Sequence, residues 1–241
     1  MVAESLSENP GSENSSLQSR FKIALQQYES GQFAQSLEIL RDLSQMLPVN
    51  SEVQLNLGNV YFKLQNNPQA ETHWKKAIEL DPMEATAYLN LGILYDLYLG
   101  RLSDALAAYR NGLAAATNDD MRVAMADWLW LSHMRLGRTG AATALLDGIL
   151  ADTLQILENE AYHRRLRLYH GELAPDSLLP PGSDALAVAT YGYGLGTWHL
   201  LRADTATARA VYDDVLATGY WPAFGFIAAE AELVRLSPSQ E

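Results

Sequence analysis

The sequence contains no cysteine, and this excludes several kinds of site at once. Its 241 residues offer no thiol that could form a disulfide, bind zinc or an iron–sulfur cluster, or act as a nucleophile. A chain without cysteine is compatible with any redox compartment. Any chemistry must therefore come from other side chains.

Positive charge is also scarce. Lysine and arginine number 17 against 29 aspartates and glutamates, which gives a formal net charge of −12. A field of this sign repels phosphate backbones and anionic lipid heads. We therefore expect nucleic acid not to be a partner.

Long apolar runs are missing as well. The stretch from Val123 to Leu136 is interrupted by Asp127, His133 and Arg135, and so falls short of the ~18 apolar residues that a membrane span needs. The first twenty residues lack the positive segment and apolar stretch of a signal peptide. The sequence predicts a cytoplasmic protein without a membrane span, and its 48% hydrophobic content is ample for a folded core.

A pattern with a period of 34 residues dominates the chain. Residues 51–84 and the segment that follows share their first-half positions, in which Gln54, Leu57, Gly58 and Tyr61 correspond to Tyr88, Leu91, Gly92 and Tyr95. Their second halves correspond after one extra residue, with Ala70, Trp74 and Ala77 matched by Ala105, Tyr109 and Gly112. Because these positions recur every three or four residues, each half predicts a helix with one apolar stripe.

This pattern resembles the tetratricopeptide (TPR) repeat, W-x2-L-G-x2-Y followed by A-x3-F and P in 34 residues. Weaker copies cover residues 17–50, 120–150 and 183–218. The resemblance implies an all-α, right-handed superhelical solenoid of antiparallel helix pairs with a C-terminal capping helix. The second half of the chain is also similar to bacterial repeat proteins of unassigned function.

The pattern divides the chain into four segments. We expect a flexible N-terminal tail over residues 1–16 and four TPR-like helix pairs over 17–150. Residues 151–182 are expected to be irregular, with one long helix over 152–171 and then a proline-rich connection. Residues 183–237 complete the chain with a degenerate TPR-like pair and a capping helix over 223–236.

The chain carries little that suggests catalysis. Glu160 and His163 form one Glu-x-x-His pair, but a di-iron site takes such a pair from each of two helices. The glycines of TYGYGLGTW lie in a helical pattern with no strand before them, so we interpret them as helix-contact residues and not as a phosphate loop. We therefore predict no catalytic residues, no metal site, no cofactor and no enzymatic activity.

One basic cluster stands out in this acidic chain. Arg164, Arg165 and Arg167 lie beside His163 and His170. Such a run is commonly a solvated helix face, and its alternative role is a patch that receives an acidic peptide or a neighbouring subunit. We retain it as a secondary candidate site.

The resemblance also implies a concave groove lined by the first helix of each repeat. It assigns to this groove Leu55, Asn56, Asn59, Phe62, Leu89, Asn90 and Ile93, with Gln18, Phe21, Glu52 and Asp96 among the further positions. Asn56 and Asn90 are equivalent, and an amide can both donate to and accept from a peptide backbone. The alternative is that asparagine is simply common before the Leu-Gly pair. The apolar neighbours favour an apolar or amphipathic ligand.

Three functions stay open at this point. The favoured one is a non-catalytic adaptor or assembly scaffold that binds a peptide or helix of another protein in the groove. The second is a ligand-binding protein or enzyme that uses Glu158 to Pro181 together with the C-terminal aromatic residues. The third is self-association through an apolar repeat face, which would give a homo-oligomer.

Overall fold

A computed structural model describes residues 10–220 and 223–237, and within these ranges the secondary structure is helical, without a strand. The first six helices are α1 (Pro10–Glu29), α2 (Phe33–Met46), α3 (Ser51–Lys63), α4 (Asn67–Leu80), α5 (Ala85–Ile93, continued by a π-helical turn at Leu94–Tyr98) and α6 (Leu102–Ala115). The others are α7 (Asp119–Arg135), α8 (Thr139–Leu150), α9 (Glu160–His170), α10 (Ala185–Leu200), α11 (Thr205–Ala217) and α12 (Phe224–Leu236). The predicted all-α, TPR-like class is confirmed.

The chain forms two compact units, unit 1 up to Leu91 and unit 2 from Gly92 onward. In unit 1, α1 packs on α2, α2 on α3 and α3 on α4. Side-chain caps set two of the helix starts: Asn50 accepts from the Val53 amide at 2.8 Å and Asn66 from the Gln69 amide at 3.3 Å. Such caps satisfy backbone donors that lack a partner within the helix.

The start of α1 differs from the predicted tail. Residues 1–9 lie outside the described residues, whereas residues 10–16 are helical. The tail prediction is therefore wrong for residues 10–16.

The glycines of the repeat pattern mark the closest approach of paired helices. A Cβ atom placed on Gly58 would lie 2.4 Å from Cδ1 of Trp74 in unit 1. In unit 2, a Cβ atom on Gly92 would lie 2.2 Å from Cε1 of Tyr109. In each pair the large ring of the second helix lies directly against the glycine of the first, which explains the matched spacing of the two repeats.

Unit 2 contains an aromatic column that links helices far apart in the chain. The ring of Trp128 on α7 stacks on Tyr109 of α6 and on Tyr193 of α10, with centroid distances of 6.0 and 5.7 Å. Tyr193 in turn stacks on Tyr212 of α11 at 6.1 Å. The degenerate pair α10–α11 therefore packs onto the core of α6 and α7.

The long helix predicted over 152–171 is wrong, because only Glu160–His170 is helical. The carboxylate of Asp120, at the start of α7, accepts backbone hydrogen bonds from Leu157, Glu158 and Asn159 at 3.2, 2.9 and 2.7 Å. Because these amides bond to Asp120, residues 157–159 stay outside the helix, which begins at Glu160. The helix ends at Gly171, whose φ of +90° suits a residue without a Cβ.

Candidate functional site

A pocket of about 250 Å³ lies in unit 1 and is called here the unit 1 pocket. It is lined by Leu17, Gln18 and Phe21 of α1, by Leu47 and Asn50 of the connection between α2 and α3, and by Glu52 and Val53 of α3. Three of these side chains, Gln18, Phe21 and Glu52, occupy positions that the TPR resemblance assigns to the groove. The pocket joins apolar walls to polar side chains that include one carboxylate.

The apolar residues assigned to the groove contribute mainly to helix packing. Leu55 and Leu89 of unit 1 are buried, and so is Ile93 of unit 2. Phe62 is half-buried, with its ring centroid 5.6 Å from that of Trp74. Little of the three aliphatic side chains is therefore left exposed to a partner.

The asparagines of the groove take separate roles. Asn56 donates to the carbonyl oxygen of Glu52 in its own helix at 2.8 Å. Asn59 accepts from Trp74 Nε1 and from Asn90 Nδ2, both at 2.9 Å. The amide of Asn90 is therefore joined to Asn59 of α3, and not to Asn56, its repeat equivalent.

The three arginines of the predicted basic patch do not form one surface. Arg165 is fully buried and donates to Asp127 Oδ2 at 2.6 Å. Arg164 donates to the carbonyl oxygens of Ser177 and Leu178 in the proline-rich connection. Arg167 pairs with Glu172 at 3.1 Å. The patch prediction is wrong for Arg165, because its side chain is buried and pairs with the buried carboxylate of Asp127.

Arg165 and Asp127 form the centre of a buried cluster in unit 2. Gly194 makes room for the arginine, since a Cβ atom there would lie 2.5 Å from its Nε. The guanidinium lies 5.2 Å from the ring centroid of Tyr193 and donates to the hydroxyl of Tyr169 at 3.2 Å. Burial raises the pKa of Asp127 to about 7, although Arg165 acts to lower it. The contact of α7, α9 and α10 thus contains a carboxyl group, that of Asp127, which titrates near neutral pH.

A second charged cluster in unit 2 lies at a cavity of about 320 Å³. Arg135 donates to both carboxylate oxygens of Asp96, at 2.7 and 2.6 Å, and to the hydroxyl of Tyr193 at 2.7 Å. Arg135 also donates to Glu232 of α12. Burial acts to lower the pKa of Arg135, but the charges of Tyr193, Asp96 and Glu232 outweigh it and raise the pKa. Arg135 therefore keeps its positive charge.

The residues weighed as metal ligands are not brought together. Glu160 lies 3.9 Å from Arg164 across one helix turn, and its side chain is largely exposed. Among the described residues, no group of three or more histidines and carboxylates is arranged to hold a metal ion. The glycines of TYGYGLGTW pack against side chains of neighbouring helices, as the sequence indicated.

Comparison with known proteins agrees with the repeat pattern. A family model described as a TPR repeat matches residues 58–97. The chain carries a tetratricopeptide repeat and has a TPR-like fold. No described helix of this TPR protein is both long enough and apolar enough to cross a membrane. Its cytoplasmic location stays a prediction.

Solved structures share the fold of this TPR protein. PilF of Pseudomonas aeruginosa is 15% identical, with a TM-score of 0.54 over 91% of this chain and 98% of that one. PilW, a type IV pilus biogenesis factor, is 17% identical, with a TM-score of 0.52 over 86% of this chain and 94% of that one. At such identities the likeness shows the fold alone.

A curated relative matches part of the TPR protein. A NADPH oxidase activator of Dictyostelium discoideum is 25% identical over 136 residues, which is 52% of this chain. The chain spans only 22% of the length of that relative. The activity and partners of the relative therefore belong to a much longer protein.

Sequence reasoning missed the charged clusters of unit 2. Asp127 and Arg135 interrupt an apolar run and so count against a membrane span. Charges within such a run also indicate ion pairs buried in a folded core. Leu47 and Asn50 were missed because they belong to the connection between two helices. The sequence could have indicated both residues, because this connection lies just before Glu52, a position assigned to the groove.

Proposed function

We propose that this TPR protein is a non-catalytic adaptor or assembly scaffold, and that its unit 1 pocket holds one apolar side chain of an extended peptide from another protein. The TPR fold supports a protein-interaction or scaffold role in general. The observation that carries the finer proposal is the unit 1 pocket, because apolar walls and groove positions coincide there.

The size of the pocket favours a single side chain. At about 250 Å³ it is smaller than the roughly 300–1,000 Å³ of sites that bury a whole small molecule. Leu17 and Phe21 of α1 and Leu47 of the connection between α2 and α3 supply partly exposed apolar surface. A leucine or phenylalanine of the peptide would lose its hydration there, which is favourable at ~25 cal/mol per Å² of apolar surface.

The charge beside the pocket favours a basic neighbour in the peptide. Glu52 lines the pocket and is exposed to solvent, and no described residue donates a hydrogen bond to its carboxylate. A lysine or arginine next to the apolar residue would pair with this carboxylate and with the negative field of the chain. The proposed ligand is therefore an extended segment with an apolar residue adjacent to a basic one.

A peptide library tests this proposal on the full chain. Nine-residue peptides with a central leucine, phenylalanine, serine or glutamate, each flanked by lysine or by glutamate, would be measured by fluorescence anisotropy. We expect selection of the apolar–basic peptides. Glu52→Lys should weaken binding about tenfold, roughly 1.4 kcal/mol. Gln18→Trp should block the pocket from its exposed edge.

The matched control is Glu79→Lys, which makes the same charge change at an exposed position of α4 outside the pocket. It should leave the dissociation constant within about twofold, with rim charges acting mainly on the association rate. Equal losses of peptide affinity in Glu52→Lys and Glu79→Lys would mean that binding responds only to the net charge of the chain. The absence of any selected peptide would overturn the proposal.

A further inference from the structure

The last helix, α12, occupies a specific place in unit 2. It packs on α10 and α11, and it reaches the π-helical turn that continues α5. A Cβ atom on Gly225 would lie 2.2 Å from the carbonyl oxygen of Ala189, so α12 and α10 are in backbone contact there. Helix α12 thus meets elements from the beginning and the end of the unit.

The side of α12 that faces the repeats carries a charge pair. Glu232 accepts from Arg135 of α7. Arg235, three residues later, donates to Glu232 at 2.7 Å and to the carbonyl oxygen of Asp96 at 3.3 Å. Asp96 belongs to the first helix of a repeat and holds a position that the TPR resemblance assigns to the groove. Helix α12 therefore lies where a TPR protein would receive a partner.

The contacts of α12 combine apolar and polar side chains. Its buried side chains are those of Ala228, Ala229 and Glu232, with Gly225 at the closest approach. Val234 is 71% exposed. The larger apolar side chains of the helix that are partly buried are Phe224, Phe226, Ile227, Leu233 and Leu236. Packing is incomplete beside the charge pairs, where a cavity of about 320 Å³ remains.

Polar contacts add to the attachment of α12 and give it a specific position. In addition to the two charge pairs, Arg209 of α11 donates to the carbonyl oxygen of Leu236 at the end of the helix. Asp96 and Arg135 are joined by two hydrogen bonds and form a fixed receptor for the pair on α12. Such a receptor selects a helix by the sign and order of its charges.

We infer that Asp96 and Arg135 form a docking site for a helix that carries a glutamate followed three residues later by an arginine, and that α12 fills this site from within the chain. A partner helix with the same pair competes with α12 for it. The site lies wholly in unit 2 and does not depend on the unit 1 pocket.

The test uses the full chain and a fluorescent synthetic peptide of residues 220–237. Glu232→Gln removes the charge that pairs with Arg135, and hydrogen exchange followed by mass spectrometry reports on each helix. We expect amide exchange in α12 to accelerate at least tenfold while exchange in α7 and α10 stays unchanged. The same variant should bind the peptide at least tenfold more tightly than the wild-type chain does, because its own α12 competes less.

Two controls separate the charge pair from general helix loosening. Asp213→Asn also removes one carboxylate charge, at an exposed position of α11, and should alter neither exchange in α12 nor peptide binding. A peptide in which Glu232 and Arg235 are both glutamine should fail to bind the loosened chain. If Glu232→Gln does not fold, Arg235→Gln serves instead, since that side chain is 41% exposed.

The inference fails on any of three results. Exchange that rises together in α7, α10 and α12 would make α12 an inseparable part of the unit. Loosening of α12 without peptide binding would mean that no docking site exists beneath it. A concentration-dependent dimer with exchanged α12 helices would assign the site to a second copy of the chain and not to a partner helix.

Discussion

The side-chain oxygen of Asn59 accepts a hydrogen bond from the side-chain amide of Asn90 at 2.9 Å. This bond joins the first helices of two successive repeats, α3 and α5. The same oxygen accepts from the indole of Trp74 on α4. An asparagine that the sequence assigned to ligand binding therefore also fastens three helices of unit 1.

Removing Asn59 should cost stability in unit 1. In Asn59→Ala the buried indole N–H of Trp74 and the amide of Asn90 both lose their acceptor, at about 1–3 kcal/mol for a buried unsatisfied group. Asn56→Ala should change stability by less than about 0.5 kcal/mol, since that amide bonds only to its own helix. Urea unfolding followed by circular dichroism measures both. Equal losses would contradict the assigned bonds.

The glycines at the helix contacts should be intolerant of a single methyl group. Gly58→Ala would press a Cβ atom against Trp74, and we expect a loss of about 1–3 kcal/mol, as in overpacked cores. Gly148, inside α8, has nothing within 4 Å of such a Cβ atom. Gly148→Ala should therefore stabilise the chain by roughly 0.5–1 kcal/mol through helix propensity. Thermal unfolding of the two variants would show shifts of opposite sign.

The sequence predicts much of the regular architecture and little of the polar packing. The helix pairs are predicted by Gly58, Trp74 and their repeat equivalents, because the spacing of these residues follows the period of a helix. The break before Glu160 could not be predicted, since it depends on Asp120, which lies 37 to 39 residues away from the amides that it binds. The burial of Arg165 could not be predicted for a similar reason. Its partner Asp127 lies on another helix, and adjacent arginines carry no sign of which one points inward.

The stability of unit 2 should depend on pH through Asp127. Burial raises the pKa of this carboxyl to about 7, while an unfolded chain holds it near ~3.9. The folded state therefore binds the proton more tightly, so the contribution of Asp127 to stability falls as pH rises from about 4 to about 7 and stays level above that.

Denaturant unfolding at several pH values between 5.5 and 8 measures this dependence. We expect Asp127→Asn to remove a slope worth more than about 1 kcal/mol, the equivalent of one pKa unit. Asp213→Asn changes an exposed carboxylate of α11 and should leave the slope in place. A slope that survives in Asp127→Asn would place its origin in another group.

His170 should titrate above its usual range. Hydrogen bonding to Asp147 at 3.1 Å is the main cause that raises its pKa, and Glu172 adds to it at 2.9 Å. The bridge between α8 and α9 is therefore complete below about pH 6.5 and is lost as pH rises through the folded pKa. NMR titration of the imidazole should show Asp147→Asn lowering this pKa. An unchanged value would mean that the bridge does not form in solution.

The aromatic column of unit 2 has a consequence for the order of folding. Trp128 and Tyr193 stack although they lie 65 positions apart in the chain, whereas most helix contacts of unit 1 join neighbours in sequence. Contacts between distant segments slow folding, because the chain must close a long loop before it gains their stabilisation. Unit 1 is therefore expected to fold first. The pocket would then form before the C-terminal helix reaches its place.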